Sequence, residues 1–145
     1  MVLRMRVLLI HALEFKYIVR RKLLENVENI PLGTEFSVEN ASIAFIHILK
    51  EDEKESPAKL VRKLRKIVAW HARQLSLQNI VLHSFTHLAE GNSASPDFAK
   101  EILLKTAEKL KDRGFNVHVT PFGYLLELHM VWSANDFRES SKKFN

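Results

Sequence analysis

The chain has 145 residues, of which 46% are hydrophobic and 27% are charged, as is ordinary for one globular domain with a buried core. It contains no cysteine, which excludes disulfide bonds, thiolate nucleophiles and cysteine-ligated zinc. Its net charge of +5 suits a polyanionic partner such as tRNA, although many domains without such a partner are equally basic.

Neither a membrane segment nor a signal peptide is predicted. No uninterrupted apolar run reaches the roughly 18 residues that a membrane-spanning helix needs. Residues 1–13 are apolar, but Arg4 and Arg6 interrupt them and no small-residue cleavage site follows. We therefore expect a cytoplasmic domain that has no membrane partner and begins with a strand.

The first part of the chain predicts three strands and one long loop. The continuous apolar run 6–11 is typical of a strand covered on both faces, and residues 15–19 alternate enough to return antiparallel to it. Residues 24–40 contain proline, glycine and many polar side chains, which predicts an exposed loop. The β-branched and aromatic segment 41–49 predicts the third strand.

The middle of the chain predicts an amphipathic helix followed by a buried strand. Ser56 followed by Pro57 is typical of a helix N-cap and first helical position, and apolar residues recur at helical spacing over 57–75. Residues 80–85 predict a short buried strand. The polar face of the helix carries five cations, which are Lys59, Arg62, Lys63, Lys66 and Arg73.

The last part of the chain predicts a second helix and two strands. That helix begins at Pro96 and ends before Gly114, which is typical of a C-cap glycine. Residues 115–119 and 125–132 predict the final strands. The predicted order is ββ-β-α-β-α-ββ, a single α+β (α/β) domain with a mixed β-sheet and two main helices.

Seven histidines raise the question of a metal site or of nucleophilic catalysis. None forms the helical pair with an intervening glutamate that zinc proteases use, and a histidine inside an apolar strand is more commonly a hydrogen-bonded core residue. Ser84 and Thr86 lie near His87, but no orienting acid is identifiable from the spacing. We predict no metal site and no serine–histidine nucleophile. The histidines are His11, His47, His71, His83, His87, His118 and His129.

Two short segments, 83–88 and 120–124, each close an apolar strand with small, polar and aromatic residues. Where a central strand stops, its N–H and C=O groups lose their ladder partners and can hold a polar ligand or orient a water molecule. A glycine in the second segment would let the backbone approach such a ligand closely. Phe85, Phe122 and Tyr124 can pack around a base or a sugar, and core positions suit them equally. A pocket lined by main-chain groups is therefore predicted.

These segments also resemble one protein family. RVLLIH at 6–11, AFI in the third strand, FxHL at 85–88, and RGFNV followed by PFGY at 113–124 resemble the archaeal threonyl-tRNA synthetase editing domain. That domain has the fold of D-aminoacyl-tRNA deacylase. The resemblance covers nearly the whole chain in the same order. It implies that residues 1–145 are a single editing domain, either the N-terminal part of a longer threonyl-tRNA synthetase or a separate editing protein.

The resemblance implies a hydrolase that removes serine wrongly attached to threonine tRNA, by cleaving the ester at the 3′-hydroxyl of the terminal adenosine. Such proofreading is needed because a synthetic site rejects a substrate that differs by one methyl group only weakly. In the family, main-chain groups line the pocket and the 2′-hydroxyl of the tRNA helps to position the water. The implied partners are the tRNA(Thr) 3′ end, a second copy in a homodimer, and a linked or associated synthetase catalytic domain. No cofactor is implied.

Site residues follow from the same resemblance. Ser84, Phe85 and Thr86 would supply mainly backbone contacts to the seryl group, His87 matches the family histidine, and Glu139 matches a glutamate near the end of the domain. The residues assigned to substrate binding are His47, Ile48, Phe122, Gly123, Tyr124, Leu125 and Leu126.

The chain departs from the family pattern at two positions. Ser84 replaces a proline, and Leu126 stands where PFG-Tyr-Tyr-Lys of the family has lysine. A leucine cannot act as a general base or a charged orienting group. Two alternatives therefore stay open beside the editing hydrolase: a D-aminoacyl-tRNA deacylase, and a module that binds tRNA or another partner and hydrolyses nothing.

Overall fold

One mixed five-stranded sheet and two α-helices organise the residues that the structure, a computed structural model, describes, 5–85 and 92–134. The sheet has the order β4-β3-β2-β1-β5; β2, β3 and β4 are parallel, and β1 is antiparallel to β2 and β5. This confirms the predicted α+β fold with two helices on a mixed sheet. The elements are β1 (Arg6–Lys22), β2 (Glu35–His47), a 3-10 turn (Lys50–Lys54), α1 (Pro57–Gln74), β3 (Asn79–Ser84), α2 (Pro96–Asp112), β4 (Asn116–Val119) and β5 (Tyr124–Trp132).

The first strand is one continuous strand of 17 residues, so the prediction of two strands over 6–11 and 15–19 was wrong. Its pairing with β2 omits Leu13 and Asn40, and its pairing with β5 shifts register at the same place. Asn40 takes a positive φ of 48° there. A hairpin between the two runs would need turn residues such as Gly or Asn, which residues 12–14 do not provide. The chain therefore bends within one strand, and the observed order is ββ-α-β-α-ββ.

The loop after β1 is shorter than the predicted loop over 24–40. Strand β2 begins at Glu35, which pairs with Ile18 of β1. Phe36 and Val38 are half-buried and alternate with exposed polar neighbours, which is the pattern of a strand with one solvated face. The high polar content of this segment concealed that alternation.

The helices agree with their predicted positions. Ser56 caps α1 by accepting a hydrogen bond from the Lys59 N–H at 3.2 Å, and Ser95 caps α2 through the Phe98 N–H at 3.3 Å. Each cap satisfies an N–H that has no partner within its helix, and each is followed by proline at the first helical position. Within the described ranges, no helix combines the length and apolarity that crossing a membrane requires.

The sheet separates two apolar clusters. The helices cover one face, where Leu82 is fully buried, whereas its neighbour Val81 belongs to the cluster on the other face. On that second face the Tyr17 hydroxyl lies 2.8 Å from Nε2 of His118. Because β1 and β4 are separated by two strands in the sheet, this contact requires the sheet to curl. We call this second, inward-curled face the concave face of the sheet.

Candidate functional site

The two segments singled out by the sequence meet at one edge of the sheet. Because β2, β3 and β4 are parallel, their carboxyl ends at His47, Ser84 and Val119 lie side by side. Nδ1 of His83 lies 2.8 Å from the Thr120 hydroxyl, and both side chains are buried. This bond joins the first segment to the second. The two segments therefore meet at one edge of the sheet, and a ligand pocket lined by its main-chain groups stays a prediction.

The main-chain N–H and C=O groups of Ser84 lie at this edge. The Phe85 N–H donates to the carbonyl of Ile46 at 2.8 Å, so in the parallel ladder the N–H and C=O of Ser84 point to the other side, toward β4. On that side the last hydrogen bond runs from the Thr120 N–H to the carbonyl of Leu82, at 3.0 Å. Strand β4 ends at Val119, so the regular pairing does not continue past this bond. The half-buried Ser84 thus carries its main-chain groups beyond the end of the β3–β4 pairing.

The buried titratable side chains nearest this edge form hydrogen bonds with other protein groups. His83 is held by the hydroxyl contact just described. Nε2 of His47 lies 2.7 Å from the hydroxyl of Ser93, and Asp52 accepts the Leu49 N–H at 2.8 Å. Among the residues that the structure describes, these side chains fix the architecture of the edge, and the main chain is its distinguishing chemical feature.

His83 is a neutral residue of this edge. Burial lowers its pKa to about 4. The ring centroids of Phe45 and Phe85 lie 5.5 and 6.1 Å from that of the imidazole, so aromatic rings replace part of its hydration shell. At neutral pH it can position Thr120 but carries no positive charge.

We expect His83 to make the fold less stable in mild acid. The unfolded imidazole takes up a proton as the pH falls below its ordinary pKa of about 6.5, whereas the folded imidazole stays neutral down to about pH 4. The unfolded state therefore binds more protons in this window, and the free energy of unfolding contributed by His83 falls by about 3 kcal/mol between pH 7 and pH 4. Urea titrations across this range measure the effect.

His83→Asn is the matched variant for that prediction, because an amide can still hydrogen-bond Thr120 but cannot titrate. Its stability should depend on pH less steeply than that of the unmodified chain. The same slope in both proteins would rule out His83 as the source of acid sensitivity.

Gly123, in the second segment, packs closely against the loop that follows β1. Its φ is +83°, and a Cβ built there would lie 2.9 Å from Cγ1 of Val27 and 3.2 Å from Cβ of Leu24. Its carbonyl accepts hydrogen bonds from the N–H groups of Leu23 and Leu24 at 2.7 and 3.2 Å. The chain itself therefore uses the close approach that this glycine permits.

Tyr124 holds the same loop from the other side. Its hydroxyl donates to the carbonyl of Glu28 at 2.8 Å and accepts the Ile30 N–H at 2.9 Å. The ring is buried in the cluster on the concave face of the sheet. Phe122 is half-buried and packs against the helix-side cluster. The PFGY turn is thus anchored on the 23–30 loop as well as on His83.

The remaining predicted site residues lie in different parts of the domain. Ile48 is buried in the helix-side core beside the edge. Leu126 pairs with Val19 and packs against the concave-face cluster, whereas the neighbouring Leu125 is largely exposed. Thr86, His87 and Glu139 lie outside the described residues.

Two residues of the edge were not among the site residues assigned from the sequence, Ser93 and Thr120, although Thr120 opens the second segment. Each places its hydroxyl against a buried histidine. The segment around Ser93 also runs antiparallel beside Leu49, where the two residues form an isolated bridge. No local pattern marks such pairs, because the partners are far apart in the sequence. In the described parts of the chain, no three His, Cys, Asp or Glu side chains come together as a metal site would require.

A solved structure shares this fold. The c-Myc DNA unwinding element binding protein matches with a TM-score of 0.58, covering 88% of this chain and 91% of the other, at 12% sequence identity. At that identity the likeness concerns the fold alone, which is D-aminoacyl-tRNA deacylase-like, as the sequence predicted.

Curated relatives are archaeal threonine–tRNA ligases. The chain is 37% identical to that of Pyrococcus horikoshii and 33% identical to that of Pyrococcus furiosus, each over 141 residues, and 32% identical to that of Methanopyrus kandleri over 138 residues. In each comparison the match covers 95% of this chain but only 22% of the relative. The family model of the archaea-specific editing domain of threonyl-tRNA synthetase matches residues 5–144. The chain therefore belongs to the family of archaea-specific editing domains of threonyl-tRNA synthetase.

Proposed function

We propose that this domain proofreads threonine tRNA by hydrolysing mischarged L-seryl-tRNA(Thr) at its 3′-ester. The observation that carries the proposal is the main chain of Ser84, which lies beyond the end of the β3–β4 ladder at the edge formed by three parallel strands. Membership of the editing-domain family gives that edge its substrate class. Because the chain spans about a fifth of the length of its relatives, we propose that it acts together with a synthetase catalytic domain.

In the proposed reaction, the oxygen of a water molecule attacks the carbonyl carbon of the seryl ester. The bond from that carbon to the 3′-oxygen breaks, the water supplies the proton that the 3′-oxygen takes up, and serine leaves as the free acid. The Ser84 N–H would donate to the seryl group or to its carbonyl oxygen. Mutagenesis of comparable donors shows that one placed at a developing oxyanion contributes a rate factor of about 100 to 1,000.

The side chains that the structure describes at the edge favour a water positioned by the 2′-hydroxyl of the substrate. His47 and Asp52 are held by protein partners, His83 is neutral and bonded to Thr120, and Leu126 has no proton to exchange. The vicinal hydroxyl of the terminal ribose is next to the ester by covalent structure. Such placement replaces a bimolecular encounter by an oriented one, and well-oriented intramolecular groups gain several kcal/mol in this way.

Deacylation assays test the proposal directly. We expect serine release from Ser-tRNA(Thr) at least about tenfold faster than threonine release from Thr-tRNA(Thr), since one methyl group changes the binding free energy by about 1–3 kcal/mol. Equal release of both amino acids would contradict a proofreading role. Release no faster than the uncatalysed reaction would favour the module that only binds tRNA. Faster release from a D-aminoacyl-tRNA would favour the deacylase alternative.

A further inference from the structure

The outward side of α1 carries a cluster of cations that have no carboxylate partner. Within the described ranges, no carboxylate oxygen lies within 4.0 Å of any of these cations, which is the distance limit for a salt bridge. Several exposed cations elsewhere in the domain form salt bridges. We call this cluster, together with a residue that follows α2, the α1 basic face. Its members are Arg62, Arg65, Lys66, Arg73 and Arg113. The paired lysines and arginines among the described residues are Lys16 with Glu35, Arg20 with Glu127, Lys105 with Glu101 and, at the start of α1, Lys59 with Glu55.

The members of this face repel one another in the unbound domain. The pKa of Arg65 is lowered by partial burial and by the positive charges of Arg113, Arg73 and Arg62. Concentrating like charges raises the free energy of the fold, and a bound polyanion relieves that repulsion. An ordinary solvated helix face intersperses acidic residues, but α1 has no acidic residue between Pro57 and Gln74.

A shallow, open depression of about 350 Å³ lies within the α1 basic face. It brings an indole ring and a side-chain amide next to guanidinium and ammonium groups, and its lining residues are Arg65, Lys66, Trp70, Arg73 and Gln74. The Arg73 guanidinium also lies 5.6 Å from the ring centroid of Phe115. Cations bind phosphates, whereas aromatic rings and guanidinium planes stack on bases. This combination fits RNA better than it fits an acidic peptide, which offers carboxylates without bases.

We propose that the α1 basic face binds the phosphate backbone of the tRNA acceptor arm while the aminoacylated 3′ end occupies the edge at Ser84. This inference rests on the proposed function. Helix α1 begins on the side of the sheet where β2 ends at His47 and runs back toward the start of β3. Trp70 therefore lies about 20 Å from Pro57 along the helix axis. An RNA strand that leaves the edge in this direction would lay its phosphates along the basic face.

The test compares two double variants that remove the same charge. Arg65→Gln/Arg73→Gln alters the α1 basic face, and Lys105→Gln/Lys109→Gln alters the exposed side of α2. The value of kcat/KM is measured on Ser-tRNA(Thr) and on seryl-adenosine, which has the ester but no acceptor arm. We expect the α1 variant to lose about tenfold or more on the tRNA at 0.1 M salt and to keep its rate on seryl-adenosine within twofold. The α2 variant should match the unmodified chain on both substrates.

Salt dependence gives an independent readout. Binding of uncharged tRNA(Thr) is measured by fluorescence anisotropy at several salt concentrations. The slope of log Kd against log salt should be smaller by about 1 to 2 in the α1 variant, because each lost phosphate contact removes about one released counterion. A second double variant, Arg62→Gln/Lys66→Gln, leaves the contact between Arg73 and Phe115 intact. It should show the same loss on tRNA and the same reduction of the salt slope as the first. This second variant keeps the test valid if loss of that contact unfolds the first.

Two outcomes would overturn the inference. One is tRNA binding and kcat/KM within twofold of the unmodified chain in both α1 variants, which would exclude RNA and leave an acidic protein as the partner of this face. The other is an equal loss on tRNA and on seryl-adenosine, which would assign the arginines a structural role. Failure of the proposed function would give a different result, because the unmodified chain would then hydrolyse neither substrate. The anisotropy measurement would still decide whether the α1 basic face binds tRNA.

Discussion

Replacing the 2′-hydroxyl of the terminal adenosine by hydrogen is expected to abolish hydrolysis of seryl-tRNA(Thr), with a loss of at least about 100-fold. Positioned proton-transfer groups contribute about 100- to 10,000-fold. The buried titratable side chains nearest the edge have protein partners, and burial holds the pKa of His83 near 4. The 2′-hydroxyl is covalently adjacent to the ester, and we propose that it positions the attacking water. Single-turnover serine release from the 2′-deoxy substrate measures the loss.

Two controls separate chemistry from binding. The 2′-deoxy tRNA should still compete with Ser-tRNA(Thr) at a similar concentration, because one hydroxyl contributes little to the contacts of a whole acceptor arm. On the protein side, Leu126→Ala should leave most of the activity, since this half-buried side chain packs against the concave-face cluster and has no group that exchanges protons. Hydrolysis of the 2′-deoxy substrate within tenfold of normal, or a large loss in Leu126→Ala, would contradict a mechanism based on main chain and RNA.

The elements that the sequence predicted correctly are those with local signals. Ser56 and Ser95 each precede a proline and cap a helix, and apolar spacing then marks the buried side of that helix. The error in β1 has a different origin. Whether two apolar runs form a hairpin or one bent strand depends on their pairing with β2 and β5, and the register shift at Leu13 is a property of that pairing. Within residues 6–22, the lack of turn residues at 12–14 argues against a hairpin, but no local signal fixes where the strand bends.

The candidate site also has one part that local sequence signals predicted and one part that they did not. The ends of β3 and β4 were predictable as an exposed main-chain edge, because small and polar residues follow apolar strands there. The contacts that fix the edge were not, since His83 and Thr120 are 37 residues apart and His47 and Ser93 are 46 apart. Similarly, Gly123 was predictable as a turn residue, but the atoms that require a glycine there belong to Leu24 and Val27.

Gly123→Ala is expected to lower the free energy of unfolding by about 3 kcal/mol. An L-residue at a φ of +83° costs roughly 1–2 kcal/mol, and forcing a methyl group into packed surroundings typically costs about 1–3 kcal/mol more. Val27 can yield because its Cγ1 is the end of a side chain, whereas Cβ of Leu24 moves only with the backbone. Urea unfolding measures the total, and hydrogen exchange at the N–H groups of Leu23 and Leu24, which donate to the Gly123 carbonyl, reports the local effect.

Gly33→Ala is the matched control, because the two glycines have a similar positive φ but differ in their surroundings. Gly33 has a φ of +90° and no neighbouring atom within 4 Å of the place a Cβ would take, so its substitution should cost only the backbone contribution of about 1–2 kcal/mol. The difference between the two variants isolates the contact of the PFGY turn with Leu24 and Val27. Equal losses would show that the loop adapts freely, and the PFGY turn would then gain no rigidity from it. A larger loss in Gly123→Ala, with faster exchange at Leu23 and Leu24, would establish that the loop after β1 supports the second segment of the edge.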